Sequence, residues 1–153
     1  ESVFGILTAV IPKARVLDLY AGSGALGIEA LSRGGASCTF VEQNRGACRI
    51  IAENLENTGC DDGRVIQREV GAFLRSERTS YDLIFADPPY ADGLSDPARD
   101  LIAIEGWKQW LSEDGFLILE REAAGELPDL KELALVQSRD YGRSRITIYQ
   151  LKS

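Results

Sequence analysis

The stretch RVLDLYAGSGALG, Arg15 to Gly27, joins a short apolar run to a glycine-rich segment. The apolar run predicts a buried strand over Arg15–Tyr20. Gly22, Gly24 and Gly27 then match the pattern G-x-G-x-x-G directly after that strand. Glycines in such a turn let the backbone bend sharply and approach a ligand closely. The pattern predicts an α/β fold with a cofactor loop after its first strand, although a purely structural glycine turn stays open at this point.

Further apolar runs extend the same α/β pattern along the chain. The five predicted parallel strands are Arg15–Tyr20, Ser37–Glu42, Arg64–Arg68, Tyr81–Ala86 and Gly115–Arg121. Leu133–Arg139 and Arg145–Leu151 flank Asp140–Gly142 and predict an antiparallel pair around a turn. The order predicts a single domain over residues 1–153, an α/β sandwich with a mostly parallel sheet and a C-terminal antiparallel hairpin. Ligands of such sheets bind at the carboxyl ends of the strands.

Helical patterns lie between the predicted strands. Asn44 is a typical N-cap, and Gly59 fits the end of the helix that it begins. A second helix is predicted from Ala25 to the glycines at positions 34–35. A third begins at Asp96–Pro97 and presents Leu101, Ile104 and Leu111 to the sheet, with Gly106 breaking it into two pieces.

Two carboxylates flank the glycine loop and narrow the choice of cofactor. Glu42 ends the second strand, where its oxygens can accept hydrogen bonds from two ribose hydroxyls. Asp18 lies just before the glycines, where a pyrophosphate would be repelled unless shielded. S-adenosylmethionine brings a sulfonium and an ammonium instead, so this loop favours it over NAD. For Asp18, a hydrogen bond within the loop is an equal alternative to ligand contact, and for Glu42 a solvated strand end stays open.

The segment Asp87-Pro88-Pro89-Tyr90 follows the fourth strand and has the groups needed to hold a planar amine. Asp87 offers acceptor oxygens, Pro88 offers a carbonyl, and Tyr90 offers a ring for stacking. The segment therefore predicts a loop that binds an amino-bearing base, with a rigid structural turn as the alternative.

Bulk properties restrict the remaining choices. The chain has 153 residues, no histidine and three cysteines without a C-x-x-C pair, so we expect no metal site. No apolar run reaches the roughly 20 residues of a membrane span, and we expect a cytoplasmic protein. The net charge of −7 disfavours non-specific binding to bare nucleic acid. Arg139, Arg143 and Arg145 form the best candidate basic patch, with a solvated hairpin as the alternative.

Taken together, several segments resemble the RsmD-type rRNA methyltransferases. They are DLYAGSGALGIEALSRG from Asp18, FVEQN from Phe40, DPPY from Asp87, ESVFGIL from Glu1 and DYGRSRITIY from Asp140. The resemblance covers essentially the whole chain. It implies a seven-stranded Rossmann-like sheet and transfer of a methyl group from S-adenosyl-L-methionine to the N2 amine of a guanine in small-subunit rRNA.

The resemblance also implies the site residues. Catalysis is expected from Asp87, Pro88, Pro89 and Tyr90. Cofactor binding is expected from Asp18, Tyr20, Ala21, Gly22, Ser23, Gly24, Glu42, Gln43, Asn44, Glu69, Val70 and Asp87. Glu69 stands where the family more often has Asp, near the expected adenine edge, and an exposed acid before a helix is its alternative.

The family also has a basic N-terminal hairpin before the segment that matches Glu1, so we expect a preceding segment that this sequence lacks. Glu1–Phe4 already has a helical pattern. Because the chain is acidic, its expected partner is rRNA within a partly assembled ribosomal particle. The alternatives are a DNA methyltransferase for adenine N6 or cytosine N4, an NAD-dependent oxidoreductase, and a silent cofactor-binding module.

Overall fold

The computed structural model describes residue 5 and residues 7–90, 92–123 and 130–153. The predicted helix at Glu1–Phe4 lies outside these residues. The strands are β1 (Arg15–Leu19), β2 (Ser37–Glu42), β3 (Gly63–Gln67), β4 (Tyr81–Ala86), β5 (Leu111–Glu122), β6 (Leu133–Tyr141) and β7 (Ser144–Leu151). The helices are α1 (Ala25–Ser32), α2 (Arg45–Thr58), α3 (Val70–Ser76), α4 (Pro97–Ala103) and α5 (Trp107–Trp110).

The strands form one seven-stranded sheet in the order β3-β2-β1-β4-β5-β7-β6. The five N-terminal strands are parallel, and β7 pairs antiparallel with both β5 and β6. This arrangement confirms the predicted mostly parallel sheet with its C-terminal antiparallel hairpin. The strand order changes direction between β1 and β4, and a crevice forms at such a point beyond the carboxyl ends of the strands.

Apolar side chains on the two faces of the sheet form two packed layers. Along β1, Val16 faces one layer with Phe40 and Ile51, and Leu17 faces the other with Leu101. All five side chains are at most 2% exposed. Strands buried on both faces explain why the sequence shows continuous apolar runs instead of alternation.

The helix ends follow the predicted caps. The Asn44 side chain accepts a hydrogen bond from Ala47 N at 2.8 Å, and Gly59 ends α2 in a left-handed conformation. The Asp96 side chain accepts a hydrogen bond from Arg99 N at the start of α4. Gly106, with φ 131°, separates α4 from α5 as predicted. None of the helices among the described residues has the length and apolar character that a membrane crossing requires.

Several details of the predicted elements were wrong. Arg68 lies beyond the end of β3, and Asp140 and Tyr141 pair within the hairpin strands instead of forming its turn. Leu111 does not belong to a helix, because the chain becomes extended there and Leu111 pairs with Tyr81 as the first residue of β5. Tyr20 does not continue β1, because its φ of 58° takes the backbone out of the strand and into the glycine loop. This exit from β1 places Tyr20 in the lining of the site described next.

Candidate functional site

The glycine loop between β1 and α1 is held close to the sheet. Gly24 has φ 80°, a conformation that side-chain-bearing residues rarely adopt. A Cβ atom on Gly27 would lie 2.4 Å from the Phe40 ring and 2.6 Å from the sulfur of Cys38. The amide of Asn54 donates to the Ser23 carbonyl at 3.0 Å. The three contacts hold the loop and the start of α1 against β2 and α2.

Asp18 lies beneath this loop and is 2% exposed. Its carboxyl accepts a hydrogen bond from Gly27 N at 3.1 Å. The pKa of Asp18 is raised to about 8, mainly by burial and to a smaller extent by the charges of Asp87 and Glu42, against the opposing effect of that hydrogen bond. Asp18 is therefore largely protonated near neutral pH, and it makes a hydrogen bond within the loop, while its contact with the cofactor stays a prediction.

Glu42, at the end of β2, connects the glycine loop to α2. One of its oxygens accepts from Gly22 N and the other from Asn44 N, both at 2.9 Å. A carboxylate has further lone pairs beyond these two bonds. Glu42 therefore fixes the loop and still has acceptor capacity for a ligand.

A cavity of about 510 Å³ lies at the carboxyl ends of β1, β2, β3 and β4. Its lining includes seven of the predicted site residues, namely Tyr20, Glu42, Gln43, Glu69, Val70, Asp87 and Pro89. The other predicted site residues do not line it in the described structure, namely Asp18, Ala21, Gly22, Ser23, Gly24, Asn44, Pro88 and Tyr90. The volume suits a ligand of nucleoside size.

The charged lining of the cavity is mainly acidic. Glu42, Glu69, Asp87 and Asp100 contribute carboxylates, and Arg68 contributes a cation. The Arg68 guanidinium donates instead to the Ser76 hydroxyl and the Ala72 carbonyl on α3. An acidic cavity favours a cationic ligand over one with a pyrophosphate.

Glu69 performs a structural task at the rim of this cavity. It is the N-cap of α3, where its carboxylate accepts from Gly71 N at 2.7 Å and Ala72 N at 3.0 Å. Burial is the largest cause that raises the pKa of Tyr20 to about 12, and the negative charges of Glu69 and Asp100 add to it. The Tyr20 hydroxyl therefore stays protonated and can donate to a ligand.

The predicted base-binding loop begins where β4 ends. Pro88 is buried, whereas Asp87 and Pro89 are exposed and Tyr90 is 50% exposed. The protein around its carboxyl group still removes part of the solvent from Asp87 and raises the pKa to about 6, and the nearby charge of Glu120 contributes to the increase. Asp87 is thus ionised at neutral pH but can accept a proton in the physiological range. The Tyr90 hydroxyl lies 3.3 Å from the Ser144 hydroxyl on β7.

Sequence reasoning missed the wall of the cavity that α4 contributes. Pro97, Asp100, Leu101 and Ile104 line it from this side, and Gly71 lines it from α3. The helix start at Asp96–Pro97 was a usable signal for α4. Its position beside the carboxyl ends of the strands depends on the path of the chain between β4 and α4, which the sequence does not encode locally.

The candidate basic patch lies on the hairpin of β6 and β7. Arg145 forms an ion pair with Asp140, its partner in the strand pairing, at 2.7 Å. Arg143 lies in the exposed turn and Arg139 on the exposed face of β6. Part of the positive charge of this patch is therefore balanced within the hairpin, and the role of the patch stays a prediction.

The acidic cavity fits S-adenosylmethionine. Its carboxylates suit the sulfonium and ammonium groups, and the apolar side chains of Val41, Val70 and Leu101 offer surface for an adenine ring. Glu42 lies where a ribose acceptor is expected in a parallel sheet of this topology.

Comparison with known proteins agrees with this geometry. Residues 1–150 match the family described as Conserved hypothetical protein 95. The chain is 32% identical over 151 residues to ribosomal RNA small subunit methyltransferase D of Escherichia coli strain K12, which covers 98% of this chain and 75% of the relative.

Solved structures agree with the fold. A conserved hypothetical protein of Streptococcus pyogenes superimposes with a TM-score of 0.83 and 32% identity, covering 99% of this chain and 93% of its own. A ribosomal protein L11 methylase of Lactobacillus delbrueckii has a TM-score of 0.78 at 21% identity, covering 98% of this chain and 76% of its own. The second likeness concerns the fold alone.

These comparisons confirm the predicted family, the Rossmann-like methyltransferase fold and S-adenosylmethionine as the cofactor. The segments quoted from Asp18, Phe40 and Asp87 all contribute residues to the lining of the cavity. The chain belongs to the RsmD-type family of rRNA methyltransferases.

Proposed function

We propose that this chain transfers a methyl group from S-adenosylmethionine to the exocyclic N2 amine of a guanine in small-subunit rRNA. The single observation that carries the proposal is the position of Asp87 and Pro89 in the wall of the acidic cavity. The same loop thus borders the cofactor cavity and offers acceptors for an amine. The 32% identity to a small-subunit rRNA methyltransferase supports rRNA as the substrate.

The amine of a nucleobase is a poor nucleophile, because its nitrogen lone pair is delocalised into the ring. The Asp87 carboxylate and the Pro88 carbonyl can each accept one N–H of that amine. Two acceptors on the amine favour a tetrahedral nitrogen, whose lone pair is then available for bonding. They also stabilise the positive charge that develops on nitrogen as the new bond forms.

S-adenosylmethionine supplies a methyl group on a cationic sulfur, and this sulfur keeps the electron pair of the S–C bond when the amine takes the methyl. The methylated nitrogen then loses one proton to Asp87 or to water. A pKa of about 6 suits Asp87 for this acceptor role near neutral pH. Alignment of the two reactants is expected to supply most of the acceleration, on the order of 7–11 kcal/mol.

Binding of the base depends on Tyr90 in this proposal. Its ring is half exposed and lies three residues after Asp87 in the sequence. The ring is available for stacking on a base taken out of its helix. The hydroxyl contact with Ser144 ties the end of this loop to the hairpin. The loop therefore has an acceptor at one end and an aromatic face at the other.

The test is transfer of a tritiated methyl group from S-adenosylmethionine to three acceptors, which are naked small-subunit rRNA, immature small subunits and DNA. Nucleoside analysis of the labelled product identifies the base and the methylated atom. We expect N2-methylguanosine in rRNA. Label in N6-methyladenine or N4-methylcytosine of DNA would contradict the substrate, and no incorporation into any acceptor would indicate a silent cofactor-binding module.

A further inference from the structure

Glu120 lies beside Asp87 at the carboxyl end of the sheet. Ala86 and Leu119 are partners in the parallel pairing of β4 with β5, and Asp87 and Glu120 are the next residues on each chain. Neighbouring strands lie about 4.8 Å apart, so the two residues are adjacent across the strands. The negative charge of Glu120 raises the pKa of Asp87, which agrees with this proximity.

Among the described residues, no cation pairs with either carboxylate. No side chain or backbone N–H in this part of the chain donates a hydrogen bond to Asp87 or Glu120. Glu120 is half-buried and lines a small cavity of about 20 Å³ whose other walls are apolar, including Leu26, Ile118 and Ile146. Two adjacent acceptors at the mouth of a site favour a ligand with two adjacent donors.

Tyr90 reaches across the strand that carries Glu120. Its hydroxyl contacts Ser144, and Ser144 pairs with Glu122, two residues beyond Glu120 on β5. The segment from Asp87 to Tyr90 therefore runs from the end of β4 to a contact with β7, on the other side of β5. The aromatic ring of Tyr90 and the carboxylates of Asp87 and Glu120 thus lie near the carboxyl ends of β4 and β5.

We infer that Glu120 selects guanine by accepting a hydrogen bond from its N1–H while Asp87 accepts one from its N2 amine. This inference rests on the proposed function and deepens it. Guanine carries N1–H beside its amino group, so its edge has two neighbouring donors. Adenine and cytosine have an acceptor nitrogen in that position, and a carboxylate facing this nitrogen is repulsive.

The selectivity follows from physical chemistry that Asp87 alone does not provide. An amine-holding loop accepts the amino group of any of the three bases. A second acceptor distinguishes N1–H from a ring lone pair, because a desolvated acceptor without its donor costs free energy. Glu120 is accordingly a specificity-determining residue, and Asp87 is the residue that contacts the reacting amine.

The test compares guanine with 2-aminopurine, which keeps the 2-amine but has an acceptor at N1. Ligated small-subunit rRNA carries either base at the methylated position and is assembled with small-subunit proteins. The readout is the ratio of kcat/KM for guanine to kcat/KM for 2-aminopurine. The variants are Glu120→Gln and, as a matched control on the same strand, Glu122→Gln.

We expect the ratio to fall at least about tenfold in Glu120→Gln, because an amide can donate to the N1 of 2-aminopurine. The ratio should stay unchanged in Glu122→Gln, and cofactor affinity should stay unchanged in both variants as a check of the fold. An unchanged ratio in Glu120→Gln, with an active wild-type protein, would overturn this inference alone. No transfer by the wild-type protein to either RNA would overturn the proposed function, and this inference with it.

Discussion

Asp18 accepts a hydrogen bond from the backbone N–H of Gly27, and this bond holds the first turn of α1 against the end of β1. The carboxyl group that makes it is almost completely buried. A buried carboxyl keeps its proton to a higher pH than an exposed one, because charge is unfavourable in the interior. The bond between the strand and the glycine loop is therefore made mainly by a neutral acid at neutral pH.

Asp18→Asn should make the protein more stable relative to wild type as the pH rises. The pKa of Asp18 is raised from 3.8 to about 8 in the folded state, so unfolding releases its proton between these values. The free energy of unfolding of the wild-type protein therefore falls through this range. Asparagine keeps an oxygen for Gly27 N and has no proton to release. Urea unfolding at several pH values should show the difference growing by more than about 1.4 kcal/mol.

Asp18→Ala is the control for the hydrogen bond, because it removes both the charge and the acceptor. It should be less stable than Asp18→Asn at every pH. Parallel stability curves for the wild-type protein and Asp18→Asn between pH 4 and 8 would show that burial does not raise the pKa of this group.

Methyl transfer should lose activity as the pH falls through the pKa of Asp87. The ionised carboxylate accepts the N–H of the amine, whereas the protonated form does not. With a pKa of about 6, log kcat/KM should rise with a slope near one at lower pH and level off above about pH 6. Glu120→Gln removes a neighbouring negative charge and should move this limb to lower pH. A profile that is flat from about pH 5 to pH 8 would contradict the ionised role of Asp87.

Tyr90→Ala should weaken binding of the RNA more than it slows the chemical step. Stacking of a base on an aromatic ring is worth about 1–3 kcal/mol, so KM should rise roughly tenfold or more. Tyr90→Phe keeps the ring and loses only the hydroxyl contact with Ser144. It should therefore resemble the wild-type protein. Equal losses in the two variants would assign the effect to the hydroxyl contact instead of stacking.

Immature small subunits should be better substrates than naked rRNA. The chain carries a net charge of −7, and part of its basic hairpin is balanced by Asp140. Ribosomal proteins on the particle can supply the positive charge that the chain lacks. The comparison is kcat/KM for the same rRNA alone and in the particle, at one fixed salt concentration. A higher value for naked rRNA would refute this expectation.

The sequence predicted the sheet well because its signals are local. Val16, Leu17 and their counterparts on the other strands form continuous apolar runs, and such runs predict buried parallel strands directly. Asn44 and Gly59 act through their own backbone and their immediate neighbours, so the bounds of α2 followed from residue type. The exit of β1 was missed at Tyr20, where the neighbouring loop imposes a left-handed conformation on a residue that rarely adopts it.

The site was harder to predict, because its finer features depend on contacts between distant residues. Residue type indicated that Glu42 is an acceptor, but only the fold shows that Gly22 N and Asn44 N already donate to it. Asp100 adds a negative charge to the cavity only because α4 lies beside the carboxyl ends of the strands. The proximity of Glu120 to Asp87 depends on the pairing of two strands that are some thirty residues apart in sequence.

Asp87→Ala tests the central claim most directly when methyl transfer and cofactor affinity are measured on the same preparation. Removing the acceptor of the amine should lower kcat with immature small subunits by about 10²–10³-fold or more. The dissociation constant for S-adenosylmethionine, measured by calorimetry, should rise much less than kcat falls, because Glu42, Glu69 and Asp100 remain in the cavity to contact the cofactor. Equal losses of transfer and cofactor affinity would contradict the account and assign Asp87 to cofactor binding or to the fold.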